Sequence, residues 1–528
     1  MLAGAHHGGQ SIECKPRRTW PACLFITCFA VCCCQTNPRT IEARVAAGSV
    51  DFRQSNPLVT TFAQSSTDAV DAALSNKTTD PATGPLRVLA ENPRYFTDGR
   101  GNAIYLVGSH TWANLQNLSH APPFDFPAYI RFMVSHNFNF MRMWTSWIAH
   151  PDFPGELCCD VIGPFPWART GPGNADDGAP RFDFSQFDQE YFHRLRARVE
   201  TAGENGIYVA VMLFNGFEFQ FAGKNARGNP FDGANNVNNV NCGGVCPTDS
   251  SQMPEIVWRY EQAYIRKVVD TVNDLNNVLY EVANEAGAPY SNSWQASVID
   301  YVKQYETTKP KRHPVGMTFQ YKGGTDEALY ESLADWISPG SQLPSEASGK
   351  KVVINDTDHS FYYTGLLAAG HGGQRDWAWG NFARGFNLAF MDPYQVIWPG
   401  RNAPEGTRLD PYWDELRQAM SDTRSYATKI DLVHMTPHRE LVDFWAICLA
   451  NPGSQYLVFT RDHVSMLSRI VRWISGNSFT MTLVPGKYAY EWFNPSTHAV
   501  AETGNVTVDA KHTFSAPFGG ASVLWLHR

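Results

Sequence analysis

No long basic block interrupts this 528-residue chain, and only 18% of it is charged, with 43 Lys and Arg set against 51 Asp and Glu. A mildly acidic surface of that kind cannot supply the counterion release on which nucleic-acid binding depends, so that class of partner is excluded. No Gly-x-Gly-x-x-Gly or phosphate loop follows any strand-like run, so no nucleotide cofactor is expected. Metal-ligand spacing is equally scarce. Cys242 and Cys246 have no second Cys or His pair to complete a zinc set, and His110-Thr111-Trp112 lacks the His-x-His start of a metal-dependent barrel hydrolase. Neither a metal nor a cofactor is therefore expected. The apolar stretch at residues 21–34 is too short to cross a membrane comfortably.

What the chain does have is unevenly distributed. Six of its 11 Cys fall before residue 35. Lys15, Arg17 and Arg18 precede the apolar stretch, which matches the n-region and h-region of a secretory signal. Residues 1–47 are accordingly read as a signal-peptide region with cleavage near Ala46-Ala47, and the protein as secreted or exported. Phe29-Ala30-Val31-Cys32 loosely resembles a lipoprotein box, which leaves a lipid-anchored form open. A Ser/Thr/Asn/Ala-rich linker occupies residues 48–85. Export permits disulfides, and Cys242 and Cys246 are placed to staple an Asn/Gly-rich loop. Adjacent Cys158 and Cys159 cannot easily share a partner, and Cys448 in an apolar run reads as a buried free thiol.

From residue 86 short apolar runs alternate with amphipathic stretches. Strands are expected at 103–107, 138–144, 207–214, 278–283, 314–319, 334–337, 351–355 and 386–391, with helices between most of them. The run 207–214 is almost continuously apolar, as burial on both faces of a parallel sheet requires. Eight such units predict an α/β fold, a (β/α)8 TIM barrel over residues 86–438. After residue 439 short β runs separated by Gly, Pro and Asn predict a small antiparallel β-sandwich to residue 528.

Active-site side chains of such barrels sit at the C-terminal ends of the strands. Those ends hold His110 and Trp112; Arg142, Trp144 and Trp147; Asn215 and Glu218; Asn284 and Glu285; Asp356, Asp358 and His359; and Asp392. Acidic groups on opposite sides of a ring suit glycosidic hydrolysis, where one carboxyl protonates the departing oxygen and another meets the cationic sugar carbon. Trp faces, plentiful among the 16 Trp, suit the C–H faces of sugars. His110, Trp112, Trp144, Trp147, Asn215, His359 and Asp392 are the candidate substrate contacts. For each, core packing or turn capping is the competing reading. The Asn-rich loop 225–246 is long for a βα connection and reads as a lid or subsite wall.

Asn137-Phe138-Asn139-Phe140-Met141-Arg142 and Leu279-Tyr280-Glu281-Val282-Ala283-Asn284-Glu285 resemble the second and fourth strands of clan A glycoside hydrolases. More closely, the chain from about Arg94 onward resembles apiosidase-like glycoside hydrolases. Trp492-Phe493-Asn494-Pro495-Ser496-Thr497 is similar to a turn in their C-terminal domain, which carries a collagen-binding label. The resemblance implies that Glu285 is the general acid/base, that Asn284 bonds the sugar 2-hydroxyl, and that Arg142 keeps the opposing carboxylate ionised. Glu281 is read as a structural partner.

One departure matters. Clan A enzymes usually end the seventh strand in Glu, whereas this chain has Asn355-Asp356-Thr357-Asp358-His359. Asp356 aligns with the nucleophile, but its shorter side chain would widen the carboxyl gap by roughly 1 Å beyond the ~5–5.5 Å of retaining enzymes. Either the backbone moves inward, Asp358 takes the role, or the enzyme inverts. The expected protein is a monomeric, exported glycosidase acting on an oligo- or polysaccharide by Glu285 and Asp356. The alternative is a non-catalytic carbohydrate-binding protein on a degenerate barrel.

Overall fold

The computed structural model describes residues 80–528 apart from 112–113, 120–121, 153–160, 223–224, 322, 341–345, 361–362, 393, 395–410 and 463–476. The expected signal-peptide region, most of the expected linker, Cys158, Cys159 and Trp112 lie outside the described residues, as does a β run expected at 469–474.

Eight parallel strands close a barrel in simple sequence order: β1 (Val107–His110), β2 (Phe140–Met143), β3 (Tyr208–Asn215), β4 (Val278–Asn284), β5 (Val315–Thr318), β6 (Trp336–Ser338), β7 (Val352–Asp356) and β8 (Asn387–Met391). Each is buried along its whole length. Burial on both faces explains why β3 in particular reads as a nearly continuous apolar run rather than an alternating one. Helices α1 (Phe126–Ser135), α2 (Gln189–Glu204), α3 (Glu255–Val272), α4 (Asn292–Glu306), α5 (Asp326–Glu331), α6 (Tyr363–Ala383) and α7 (Pro411–Ala427) accompany them. Asp125 and Asp188 cap α1 and α2 by accepting from Ala128 and Glu190 N–H groups, satisfying donors that a helix start leaves orphaned. Two glycines permit the close packing. A Cβ on Gly108 would strike the Phe140 carbonyl, and one on Gly316 would strike the ring of Trp336.

The first strand begins later than the apolar run 103–107 predicts. Ile104 instead pairs antiparallel with Phe96 below the barrel. Entry into β1 is held by side-chain amides: Asn387 Oδ1 accepts from Leu106 N, and Asn139 Oδ1 from Val107 N, both at 2.9 Å. A hairpin of Trp167–Asn174 with Pro180–Phe187 follows β2 and was not anticipated.

The C-terminal region is antiparallel. Strands β9 (Ala446–Asn451), β10 (Gln455–Thr460), β12 (Gly486–Asn494), β13 (Ala499–Val508) and β15 (Ser522–His527) join the short strand Thr436–Pro437 in a six-stranded sheet. Strands β11 (Ser478–Thr482) and β14 (Lys511–Ser515) form a separate ribbon. The period-2 alternation divides the large sheet between two cores. Ile447, Leu449, Leu457, Phe459, Phe493 and Val523 join the barrel's core. Cys448, Tyr456, Val458, Trp492, Leu524 and Leu526 pack with Phe479, Met481 and Phe514 of the ribbon. Trp379 of α6 lies 6.4 Å from Phe459 and 5.5 Å from Phe493, ring to ring. Cys448 is a buried free thiol, and Cys242 and Cys246 form the loop disulfide.

Candidate active site

Arg142, at the end of β2, is fully buried and organises the barrel mouth. Its Nε and Nη2 grip Glu281 at 2.9 and 2.6 Å, its Nη2 donates to Asn284 Oδ1 at 2.9 Å, and its Nη1 donates to Asp356 Oδ2 at 3.0 Å. Burial opposes its charge, but Glu281 and the two aspartates outweigh that and hold the guanidinium firmly protonated. Glu281 is thus the structural partner its place within β4 suggested.

The two aspartates after β7 have opposite surroundings. Asp356 is completely buried. It contacts His110 Nε2 at 3.0–3.1 Å as well as Arg142, and its Oδ1 accepts the Asp358 N–H at 3.0 Å, capping the short helix Thr357–Ser360. Burial raises its pKa, yet His110 and Arg142 prevail and keep it well below the ordinary carboxylate range. That helical turn carries Asp358 and His359 past the strand end. A carboxylate oxygen of Asp358, one of Glu285 and a ring nitrogen of His359 all lie within 4.8 Å of one another. Arg142 is 3.7 Å from Asp358, too far to neutralise it fully. Burial, then the negative charge of Asp356, push Asp358 up to about 6.

Glu285 follows directly on β4, where Asn284 still pairs in register with Asn215 of β3. Its φ of 45° is left-handed, an uncommon conformation for a residue with a side chain, and it breaks the strand at the point of use. Gln220 Nε2 donates to its carbonyl at 2.5 Å. His359 Nδ1 meets Ser338 Oγ at 2.9 Å, and its Nε2 lies 3.5 Å from Asn284 Oδ1. Burial and then Arg142 lower its pKa to about 3, leaving a neutral imidazole.

Other expected contacts have different roles. His110 is wholly buried beneath Asp356, with Trp144 stacked on it at 5.8 Å and an interplanar angle of 6°. Trp144 also lies 5.5 Å from Arg142, so it packs against the charge cluster. Trp147 cannot be a sugar platform. It is fully buried, 5.1 Å from Phe214 and 5.8 Å from Phe231, and its indole N–H bonds the Leu213 carbonyl. Asp392 is held by Arg417 at 2.6 and 2.8 Å and caps Tyr394 N–H, so it serves a turn rather than a sugar. Asn215 is buried beside Glu218. Glu218 accepts from the backbone of Trp147 and Ile148 and is pushed by burial up to about 7.

The Asn-rich loop is a built block. Asn236 Nδ2 bonds the carbonyls of Pro230, Asp232 and Val240, and Phe231 plugs into the Trp147 cluster. Asparagines that look available in the sequence are consumed as internal turn partners. Asn355, part of an Asn-x-Thr sequon, is buried and cannot carry a glycan in the folded chain.

A family model described only as a domain of unknown function, DUF6298, matches residues 157–332. No curated protein matches the sequence. A solved structure described as a glycoside hydrolase aligns with 85% of this chain and 98% of its own, with TM-score 0.56 and 13% identity. A glycoside hydrolase family 5 structure from Bacteroides vulgatus covers 85% of this chain and 95% of its own, with TM-score 0.56 and 14% identity. At such identity the likeness establishes a shared fold, and function must be argued from the site.

Proposed function

We propose that this chain is a glycoside hydrolase whose two working carboxyls are Glu285 and Asp358. The observation that carries the reading is their approach within 4.8 Å at the mouth of a parallel barrel. That separation belongs with the ~5–5.5 Å of retaining enzymes rather than the ~6.5–9.5 Å that leaves room for an attacking water. Glu285 protonates the glycosidic oxygen as Asp358 attacks the anomeric carbon, giving a glycosyl ester. Glu285 then takes a proton from water, whose oxygen displaces Asp358. Asp356, aligned with the nucleophile by its place in β7, becomes an ionised anchor that turns Asp358 inward. This answers the missing strand-end Glu, because the carboxyl is recovered two residues later on a helical turn. Asn284, with its oxygen held by Arg142, is left to meet a sugar hydroxyl with its amide hydrogens.

Glu285, Asp358 and His359 are also a donor set able to hold a divalent cation. The guanidinium 3.7 Å from Asp358 opposes a second positive charge there. Hydrolysis that survives exhaustive chelation would support the two-carboxyl reading, and metal-dependent hydrolysis would replace it. We further propose export, on the basic and apolar N-terminal pattern, and a bracing role for the C-terminal sheets, on their shared core with the barrel.

The direct test is release of sugar from a glycoside panel, with proton NMR of the first anomer formed. Retention is expected, and Glu285→Gln should lower kcat by about 10³-fold or more with folding unchanged. Wild-type binding of glycans without any turnover would favour the non-catalytic carbohydrate-binding alternative.

A further inference from the structure

Immediately after β3 the chain forms the one-and-a-half-turn helix Gly216–Phe221, in which Phe217 and Phe221, four residues apart, share one face. Glu218 and Phe219 are buried, while Phe217 and Phe221 are half-buried with ring centroids 4.8 Å apart. Tyr321, 41% exposed beyond β5, lies 5.3 Å from Phe221 and 6.4 Å from Phe217. Phe319 continues the line, 6.3 Å from Tyr321 and 5.9 Å from His359. The four rings therefore make a continuous wall running outward from the catalytic cluster. Its helix is bound to Glu285 itself. Gln220 holds the Glu285 carbonyl, and Gly216 sits so close to Ala286 that a Cβ would come within 2.3 Å of its Cα.

We infer that this wall is the leaving-group subsite and that it receives an apolar aryl aglycone. The inference rests on the reading of Glu285 as the acid. The departing oxygen takes its proton from Glu285, so the group attached to that oxygen lies along the residues flanking it. Three phenyl rings and one phenol offer a single polar atom. A further pyranose could lay a C–H face on these rings, but its several hydroxyls would find only the Tyr321 hydroxyl on them, and the nearby Gln220 Nε2 is engaged by the Glu285 carbonyl. An aromatic alcohol needs only ring contact, worth most in offset or edge-on stacking.

The test uses the full chain, with 4-nitrophenyl glycosides and matched glycosyl fluorides, whose fluoride cannot reach the wall. In Phe217→Ala and Tyr321→Ala, each checked for folding by circular dichroism, the ratio of kcat/KM for nitrophenyl over fluoride substrate should fall at least tenfold. A ratio unchanged from wild type overturns the subsite. Disaccharides cleaved as efficiently as aryl glycosides, with the same loss in both variants, would identify a sugar there and overturn the aryl assignment. If wild type cleaves no glycoside, the hydrolase reading fails, and calorimetry with phenyl and methyl thioglycosides still decides the wall. Phenyl binding at least tenfold tighter, lost in Tyr321→Ala, supports it. Equal affinities or no binding overturn it.

Discussion

Two buried carboxylate clusters occupy opposite ends of the same barrel, and they are built on contrary terms. At the foot, Glu306 receives Asn273 Nδ2 at 2.7 Å, the Tyr280 hydroxyl at 3.2 Å, and both His313 Nδ1 and N–H, at 2.8 and 2.7 Å. His313 Nε2 reaches the Leu275 carbonyl at 3.0 Å, so both ring nitrogens face acceptors. One carboxylate there has four donors. At the mouth, one guanidinium serves Glu281 and Asp356 and stands 3.7 Å from Asp358, with Glu285 nearby. A satisfied network holds shape, whereas an under-compensated one keeps a carboxyl near its proton-exchange point, as catalysis requires.

The contrast breaks most severely at Arg142. Arg142→Met leaves Glu281 buried without its counter-charge and Asp356 with only its His110 contact, and should cost about 3–5 kcal/mol in denaturant unfolding and abolish turnover. At the foot, Glu306→Gln should cost about 2–3 kcal/mol, because an amide N–H₂ then faces donors. The surviving folded fraction should keep its kcat. Equal loss of activity per folded molecule in both variants would erase the distinction between the two ends.

Asp358→Asn sharpens the comparison in the opposite direction. Its folded pKa of about 6 lies above the unfolded value of 3.8, so the native state holds this proton more tightly. The neutral form is unpenalised below the unfolded value. The cost of ionisation grows as pH rises to about 6 and persists above it. Asp358→Asn should therefore stabilise the fold by on the order of 2 kcal/mol at pH 8 and by little at pH 3, while removing activity. Thermal unfolding at both pH values measures this. The gentlest effect is on wild type. A nucleophile must be ionised, so kcat/KM should decline as pH falls through about 6. Decline as pH rises through the same value would make Asp358 the acid and exchange its role with that of Glu285.

Most barrel strands were readable because full burial favours apolar residues, as in Tyr208–Asn215, whereas β1, Val107–His110, carries Gly, Ser and His and was read too early. Asn284-Glu285 and Arg142 were readable because polar residues ending such runs must face the mouth. Trp147 was misjudged because its indole could equally stack on a sugar or fill a core, and Phe231, eighty-four residues onward, decided for the core. Ser338, which orients His359, and Asn114, which accepts from Trp144 N–H at 2.7 Å, gave no local signal. Each matters only through a neighbour remote in the chain.

Hydrophobic periodicity and strand-end chemistry, both local properties, were enough by themselves to predict an eight-stranded parallel barrel with acids and Arg142 at its strand ends, while the pairing of Arg142 with a carboxylate came from the resemblance to clan A enzymes. Which aspartate is anchored and which is presented was decided by tertiary structure alone. Two carboxyls two residues apart are chemically alike, and only the positions of His110, Arg142 and the Thr357–Ser360 turn make one permanently ionised and bring the other to Glu285.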